Sequence, residues 1–361
     1  MSRSAKTEFE NGCESRRMNI AIINTLVPFV RGGAESLAET LCQKISEKGY
    51  KATIIQIPFS WRPSQKIIES ILSTRLLQLP RVDKIIALKF PAYFLQHPNK
   101  TIWLCHQFRQ AYDFWGTSFQ DIPNSLEGKG IRQIIINSDN TFLKEATNIY
   151  AISNIVSERL KTYNNLDSEV LYPPLAKPDA WFCQNYENYL FFPSRIARSK
   201  RQWLAVEAMN YTKSPIKLII AGAPDRPEDS YLIKEKIETL GLENKITFIS
   251  EKISERKKIN LMSNALACLF IPYDEDYGYV TLEAFQAKKS VITCQDSGGT
   301  TSFVKDGETG FILPPSPEAL AQKFDELYIQ KSSAKKLGEQ GFELLKQMNI
   351  NWDHVLRKLL Q

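Results

Sequence analysis

Glu275 and Glu283 stand with seven residues between them in the stretch PYDEDYGYVTLEAF, residues 272–285. A carboxylate accepts two hydrogen bonds from a vicinal diol, and both a sugar and a ribose offer such diols. The stretch leaves an apolar run, passes Gly278 and opens a helical pattern. The amides of Tyr279, Val280 and Thr281 would then point outward at a helix start, a place that favours phosphate. Chemistry alone is served as well by ordinary roles, a first-turn glutamate for Glu283 and a solvated loop acid for Glu275. Asp274, Glu275 and Asp276 also form a D-x-D, a pattern that suits a divalent cation.

Other residues of chemical interest lie where apolar runs end. Arg195 and Lys200 sit in PSRIARSK, residues 193–200. By themselves they could be a solvated basic loop. Arg31, Gly32, Gly33, Ala34 and Glu35 join the first apolar run to its helix, and paired glycines let backbone amides approach a phosphate. His106 follows the run Thr101–Cys105. A lone histidine is commonly structural, but a strand end facing a cleft suits a substrate contact. Arg109, Tyr112 and Asp113 follow as acceptor-side candidates.

These segments need a scaffold, and the pattern supplies one. Strands are expected at Asn19–Asn24, Ala52–Ile57, Lys84–Leu88, Thr101–Cys105, Asn148–Ile152 and Glu169–Tyr172. A second series is expected at Tyr189–Pro193, Lys217–Ala221, Lys245–Ser250, Ala267–Ile271 and Ser290–Cys294. Helical patterns alternate with them. They include one in which Leu37, Leu41 and Ile45 recur four residues apart. Short apolar runs alternating with helices predict parallel sheets wrapped by helices. Prolines at 173, 174 and 178 break the pattern, since proline cannot join a ladder. The expected division is a polar tail at 1–17, a Rossmann-like domain at 18–178, a second at 179–340, and a terminal segment at 341–361. Ligands of such sheets bind at the carboxyl ends of strands, so the cleft between the halves is the expected site. From Lys66 to Leu95, basic residues mix with apolar ones at helical spacing. The ordinary role is a helix with a core face; the alternative is a basic amphipathic surface resting on anionic lipid.

Composition sets the limits. A chain of 361 residues is long enough for two domains of about 150 residues each. Hydrophobic residues make up 43% and charged residues 24%, ordinary globular usage that excludes a disordered or fibrous chain. No apolar run approaches the roughly 18 residues of a membrane-spanning helix, and residues 1–17 lack the apolar stretch of a signal peptide. A net charge of +6 is weak for a nucleic-acid binder, which carries more cations, in clusters. Cys13, Cys42, Cys105, Cys183, Cys268 and Cys294 show no C-x-x-C spacing, so neither a zinc site nor a redox dithiol is expected. A reducing, cytoplasmic setting follows.

The E-x₇-E frame within EDYGYVTLEAF resembles the donor-binding signature of glycosyltransferase family 4, retaining enzymes of the GT-B fold that use nucleotide sugars. The resemblance implies that Glu275 lies by the donor sugar and that Glu283 holds the nucleotide ribose. PSRIARSK resembles the family's G-R-x-x-x-x-K segment, which gives Arg195 and Lys200 the diphosphate. Ser194 and Arg201 stand where the family often has glycine. Gly32 and Gly33 match a loop that closes over the diphosphate. Gly298 and Gly299 match a glycine pair beside the donor sugar, although Ser302 replaces the usual glutamate three residues on. His106 falls where the family has a histidine against the transferred sugar. Residues 351–356 resemble the family's terminal helix, which returns to the first domain.

The expected function is retaining transfer of a hexose from a nucleotide sugar, UDP-glucose being the family's common case. The acceptor is expected to be a sugar or lipid-linked glycan in envelope or polysaccharide assembly. The expectation includes no metal, no cofactor and no nucleic acid. A lipid-linked acceptor would bring the protein to the inner membrane face. Two rivals are an epimerase of the same fold, which would convert donor without acceptor, and a non-catalytic nucleotide-sugar binder.

Overall fold

The computed structural model describes residues 18–28 and 32–361. The expected tail at 1–17 and Arg31 of the glycine loop lie outside the described residues. The N-terminal half carries strands β1 (Asn19–Leu26), β2 (Lys51–Pro58), β3 (Lys84–Lys89), β4 (Lys100–His106), β5 (Asn148–Ala151) and β6 (Glu169–Val170). They form one parallel sheet in the order β2-β1-β3-β4-β5-β6. The C-terminal half repeats the plan with β7 (Tyr189–Pro193), β8 (Lys217–Ala221), β9 (Ile246–Ile249), β10 (Ala267–Leu269), β11 (Val291–Cys294) and β12 (Gly310–Leu313). Their order is β12-β11-β10-β7-β8-β9, again parallel. In each sheet the order reverses beside the first strand of its half, which opens the crevice where such sheets bind ligands.

Burial explains why the strands read so plainly. Ile20, Ala21, Ile22 and Ile23 of β1 are all within 1% of full burial, because helices cover both faces of a parallel sheet. Helix α1 (Gly33–Glu47) turns Leu37, Ala38, Leu41 and Ile45 to that core. Helices α2 (Lys66–Leu76), α3 (Leu126–Phe142) and α4 (Asn154–Asn164) complete the first half. The second half holds α5 (Gln202–Tyr211), α6 (Pro227–Thr239), α7 (Glu255–Asn264), α8 (Tyr279–Gln286), α9 (Pro317–Ile329) and α10 (Lys331–Gln347). The final helix, α11 (Trp352–Leu359), lies on the first half. Trp352 donates to the Leu175 carbonyl at 3.2 Å and meets Trp103 edge-on, and Lys358 pairs with Glu169 at 2.8 Å. None of the described helices is long and apolar enough to cross a membrane.

Several elements depart from expectation. Helix α3 and strand β12 have no counterpart in the sequence pattern. Helix α3 buries only Gly128, Ile131, Ile135 and Asp139, and exposes Leu126 and Ile134, so its apolar stripe is thin. Strand β6 stops at Val170 rather than Tyr172, just short of Pro173. Between Lys66 and Leu95 the ordinary role holds for α2, which turns Ile67 and Ile71 to the core. Only 66–76 is helical, Lys84 is buried against the Gln361 carbonyl, Lys89 pairs with Glu35, and Arg75 pairs with Glu145.

Candidate functional site

The site grows from the loop between β10 and α8. Gly278 takes φ +88°, a left-handed conformation that L side chains rarely adopt, and its Cα faces Thr300 Oγ1 so closely that a Cβ would lie 2.8 Å from it. That turn starts α8, and Glu283 emerges from the helix's second turn. Across the loop, a Cβ on Gly298 would come within 2.5 Å of the Glu275 carbonyl, and the Gly299 amide donates to that carbonyl at 2.7 Å. The glycine pair therefore presses directly on the backbone that carries Glu275.

Charges converge there from distant segments. Lys200 Nζ donates to Glu275 and stands 5.6 Å from the Phe270 ring centroid. Arg195 pairs with Asp225. Glu283, only 14% exposed at its side chain, pairs with Lys258, which lies over the Trp181 ring. The first half closes on this face: Gly32 approaches the Arg195 guanidinium, and Gly33 meets the Tyr279 ring at about 3.4 Å for an added Cβ. Val280 is half-buried beside them. Thr281 and Thr300 are fully buried, with hydroxyls that have no partner among the described residues.

The amides differ from the expected pattern at two points. The Gly32 amide is not open to a ligand, because it donates to Glu35 Oε2 at 2.7 Å. The Thr281 amide is bound to the Gly278 carbonyl at 2.9 Å. Tyr279 and Val280 remain the amides of the first helical turn that helix geometry leaves without an intrahelical partner. Burial alone would raise the Glu35 carboxyl, but Lys89 and the hydrogen bonds to it hold it below the usual glutamate value.

The D-x-D acids are held by arginines. Arg159 pairs with Asp274 at 2.5 Å and with Asp276, and Arg109 reaches Asp274 at 2.7 Å. Burial would raise the Asp276 carboxyl, yet Arg109, Arg159 and His106 pull it down to about 2. Ser153 also donates to the Asp276 carbonyl, and Tyr277 to the Pro173 carbonyl at 2.6 Å. The loop is thus a clasp between the halves. Among the described residues, no group of three or more His, Cys, Asp or Glu side chains could hold a metal ion.

His106 ends β4 with Nδ1 2.7 Å from the Gln107 carbonyl. A carbonyl only accepts, so Nδ1 carries the proton and Nε2 is the acceptor in the neutral ring. Burial lowers its pKa, which favours that neutral form. Tyr112, an expected acceptor-side residue, is buried with its hydroxyl donating to buried Asp139 at 2.6 Å. Arg109 and Asp113 are tied to each other at 3.2 Å.

Arg201 explains one departure from the resembled motif. It adopts φ +58°, the left-handed region that glycine occupies cheaply. Its guanidinium forks onto Asp296 at 2.7 and 2.8 Å and donates to the Ile271 and Pro272 carbonyls. Lys258, Arg159 and Asp296 had no individual signal in the sequence, since each is defined by a partner far along the chain.

The chain is similar to a known protein family, to curated sequences and to solved structures. Residues 178–344 match the family model described as glycosyl transferases group 1. The chain is similar to the alpha-1,3/1,6-mannosyltransferase ALG2 of Dictyostelium discoideum, 31% identical over 134 residues, or 36% of this chain and 31% of that protein. The human ALG2 is 25% identical over 210 residues, or 52% of this chain and 50% of that protein. The chain thus spans a third to a half of the length of these curated relatives. Among solved structures, Anabaena HepE in complex with UDP and glucose superposes with a TM-score of 0.70 at 16% identity, covering 95% of this chain and 99% of that one. Sucrose-phosphate synthase of Thermosynechococcus elongatus gives 0.74 at 16% identity, covering 95% and 97%. Residues 178–344 thus resemble a glycosyl transferases group 1 domain, and the two six-stranded parallel sheets have the GT-B fold.

Proposed function

We propose that this protein transfers a hexose from a nucleotide sugar to a glycan or lipid-linked glycan, with retention at the anomeric carbon and without a metal ion. The observation that carries the reading is the convergence of Lys200, Glu275 and the start of α8 on the face closed by Gly32 and Gly33. Departure of a nucleoside diphosphate puts negative charge on its terminal phosphate. Cations and amides already in place stabilise that charge. Arg195, Lys200 and the amides of Tyr279 and Val280 have this role, Glu275 binds sugar hydroxyls, and Glu283 binds the ribose diol. His106 offers Nε2 to a hydroxyl of the transferred sugar. The acceptor hydroxyl attacks the anomeric carbon on the face the diphosphate leaves, and its proton passes to the departing phosphate oxygen.

The hexose is glucose or mannose. Family resemblance supports UDP-glucose, and the names of the curated relatives support mannosyl transfer. A lipid-linked acceptor would place the protein at the inner membrane face. Ion pairs from Arg109 and Arg159 to Asp274 and Asp276 support a metal-free site, because they occupy the oxygens a cation would need.

A thermal-shift panel of UDP-glucose, GDP-mannose and related donors tests the first step. A donor at about a hundred times its dissociation constant adds roughly 2.7 kcal/mol of stability. Product analysis with and without acceptor then separates transfer from epimerisation and from binding alone. Intact transfer in both Glu283→Ala and Lys200→Ala would falsify the assignment.

A further inference from the structure

A groove of about 760 Å³ opens between α5 and α6 on the outer side of the segment that carries Arg195 and Lys200. Its volume falls in the range of ligand sites, roughly 300–1,000 Å³. Trp203 and Tyr211 of α5 and Leu232 of α6 line it, with 40%, 51% and 55% of their surface exposed. Large apolar side chains gathered at one concave place mark an interaction site more than scattered ones do.

The polar lining narrows the occupant. Glu207, paired with Lys236, shares the wall with Asn210, Asp229 and Thr239. Flat aromatic faces cover the C–H face of a pyranose, while carboxylate, amide and hydroxyl groups meet its hydroxyls. An anionic lipid surface calls for clustered cations. Here Glu207, Asp229 and Glu235 outnumber Arg198 and Lys236.

The groove's inner wall is the segment that also carries the cations of the cleft. Ile196, Ala197 and Arg198 line the groove and lie between Arg195 and Lys200. Its far lip is Phe119 of the first half, which stacks on Tyr273 at 4.9 Å, one residue before the Asp274 clasp. Arg226 and Asp121 tie the same lip at 3.6 Å. We infer that this groove is a subsite for a neutral oligosaccharide, holding the part of the acceptor beyond the hexose that receives the new sugar. The inference rests on the transferase reading above for the word acceptor, but glycan binding here is a separate property.

The test titrates linear manno- and gluco-oligosaccharides of two to six hexoses without donor, followed by calorimetry and saturation-transfer NMR. Affinity rises with chain length in at least one series. The double variant Trp203→Ala/Tyr211→Ala weakens hexasaccharide binding about tenfold, equivalent to roughly 1.4 kcal/mol, and leaves the thermal shift by nucleotide sugar unchanged. Trp203→Phe, which keeps a ring, retains most of the affinity, and it controls for damage to the fold. The proposal is overturned if wild type binds neither series, or if the double variant binds as wild type does. It is also overturned if the groove residues prove to govern binding to anionic vesicles instead. A wild-type chain that no nucleotide sugar stabilises fails the transferase reading, whatever the groove binds.

Discussion

Lys200 and Glu275, 75 positions apart in the chain, form an ion pair whose side chains are only 14% and 22% exposed. The cation assigned to the diphosphate and the acid assigned to the sugar thus hold each other in place. Under the proposed roles, an arriving donor would exchange one strong contact for two, drawing Lys200 to phosphate and freeing Glu275 for hydroxyls.

Lys200→Ala should lower kcat by about 10²- to 10³-fold, the effect of removing one charge-stabilising donor from an active site. Its thermal stability should fall by only a few degrees, since the pair is partly solvated. Steady-state rates and melting curves on the same preparation check this. A folded Lys200→Ala chain with wild-type kcat would remove Lys200 from the chemistry.

Glu283 is expected to act on binding rather than on the chemical step, because a ribose contact is the same before and during transfer. Glu283→Ala should raise the donor KM about tenfold or more, from the roughly 1.5–3 kcal/mol of a hydrogen bond to a charged group, with kcat little changed. Lys258→Ala frees the carboxylate that Lys258 now holds over Trp181. It should raise KM by less. A kcat collapse with unchanged KM in Glu283→Ala would contradict the ribose role.

Most of the sheet was legible because parallel strands buried on both faces leave unbroken apolar runs, as in Ile20–Ile23. Helix α3 was not, since four buried residues in seventeen make too thin a stripe. Within the candidate site, Glu275, Glu283, Arg195 and Lys200 stand out through the family resemblance of their own segments, and the structure brings Lys200 to Glu275. Their partners were not legible. Lys258 is one of three successive cations after Glu255, and only the helical turn selects it. Arg159 meets Asp276 across 117 positions. Such pairings come from how the halves dock, which no local pattern encodes.

Arg201 gives a prediction with a definite order. Arg201→Ala loses the fork to Asp296 and keeps a β-carbon in the left-handed conformation. Arg201→Gly loses the same contacts but relieves the backbone, a difference of about 1–2 kcal/mol. The expected melting order is wild type, then Arg201→Gly, then Arg201→Ala. If alanine equals or exceeds glycine, backbone conformation is not what the position selects.

Asp139 should make stability depend on pH. Burial raises its carboxyl to about 7, against hydrogen bonds from Tyr112 and Tyr93 that favour the charged form. A raised folded value means the folded state binds the proton more tightly. Its contribution is therefore complete below the ordinary aspartate pKa of roughly 3.9 and is lost as pH rises toward 7. Asp139→Asn removes that dependence. The melting temperature of wild type, measured relative to Asp139→Asn, should decline across this window and level off above it. A constant difference from pH 4 to pH 8 would show that Asp139 does not titrate there.

Asp276 behaves in the opposite sense and bears on metal use. Its carboxyl is held at about 2, so its contribution is complete above the ordinary aspartate value and is lost as pH falls toward 2. Across the neutral range it is ionised and already neutralised by Arg159 and Arg109. Transfer should therefore be unchanged by excess EDTA and by added Mg²⁺ or Mn²⁺. Asp276→Asn should lower both stability and transfer, since it leaves Arg159, only 10% exposed at its side chain, with less counter-charge at the clasp. Assays of wild type with chelator, and of Asp276→Asn with and without Mn²⁺, decide the point. Loss of wild-type activity in EDTA that Mn²⁺ restores would assign these acids to a metal and not to the clasp.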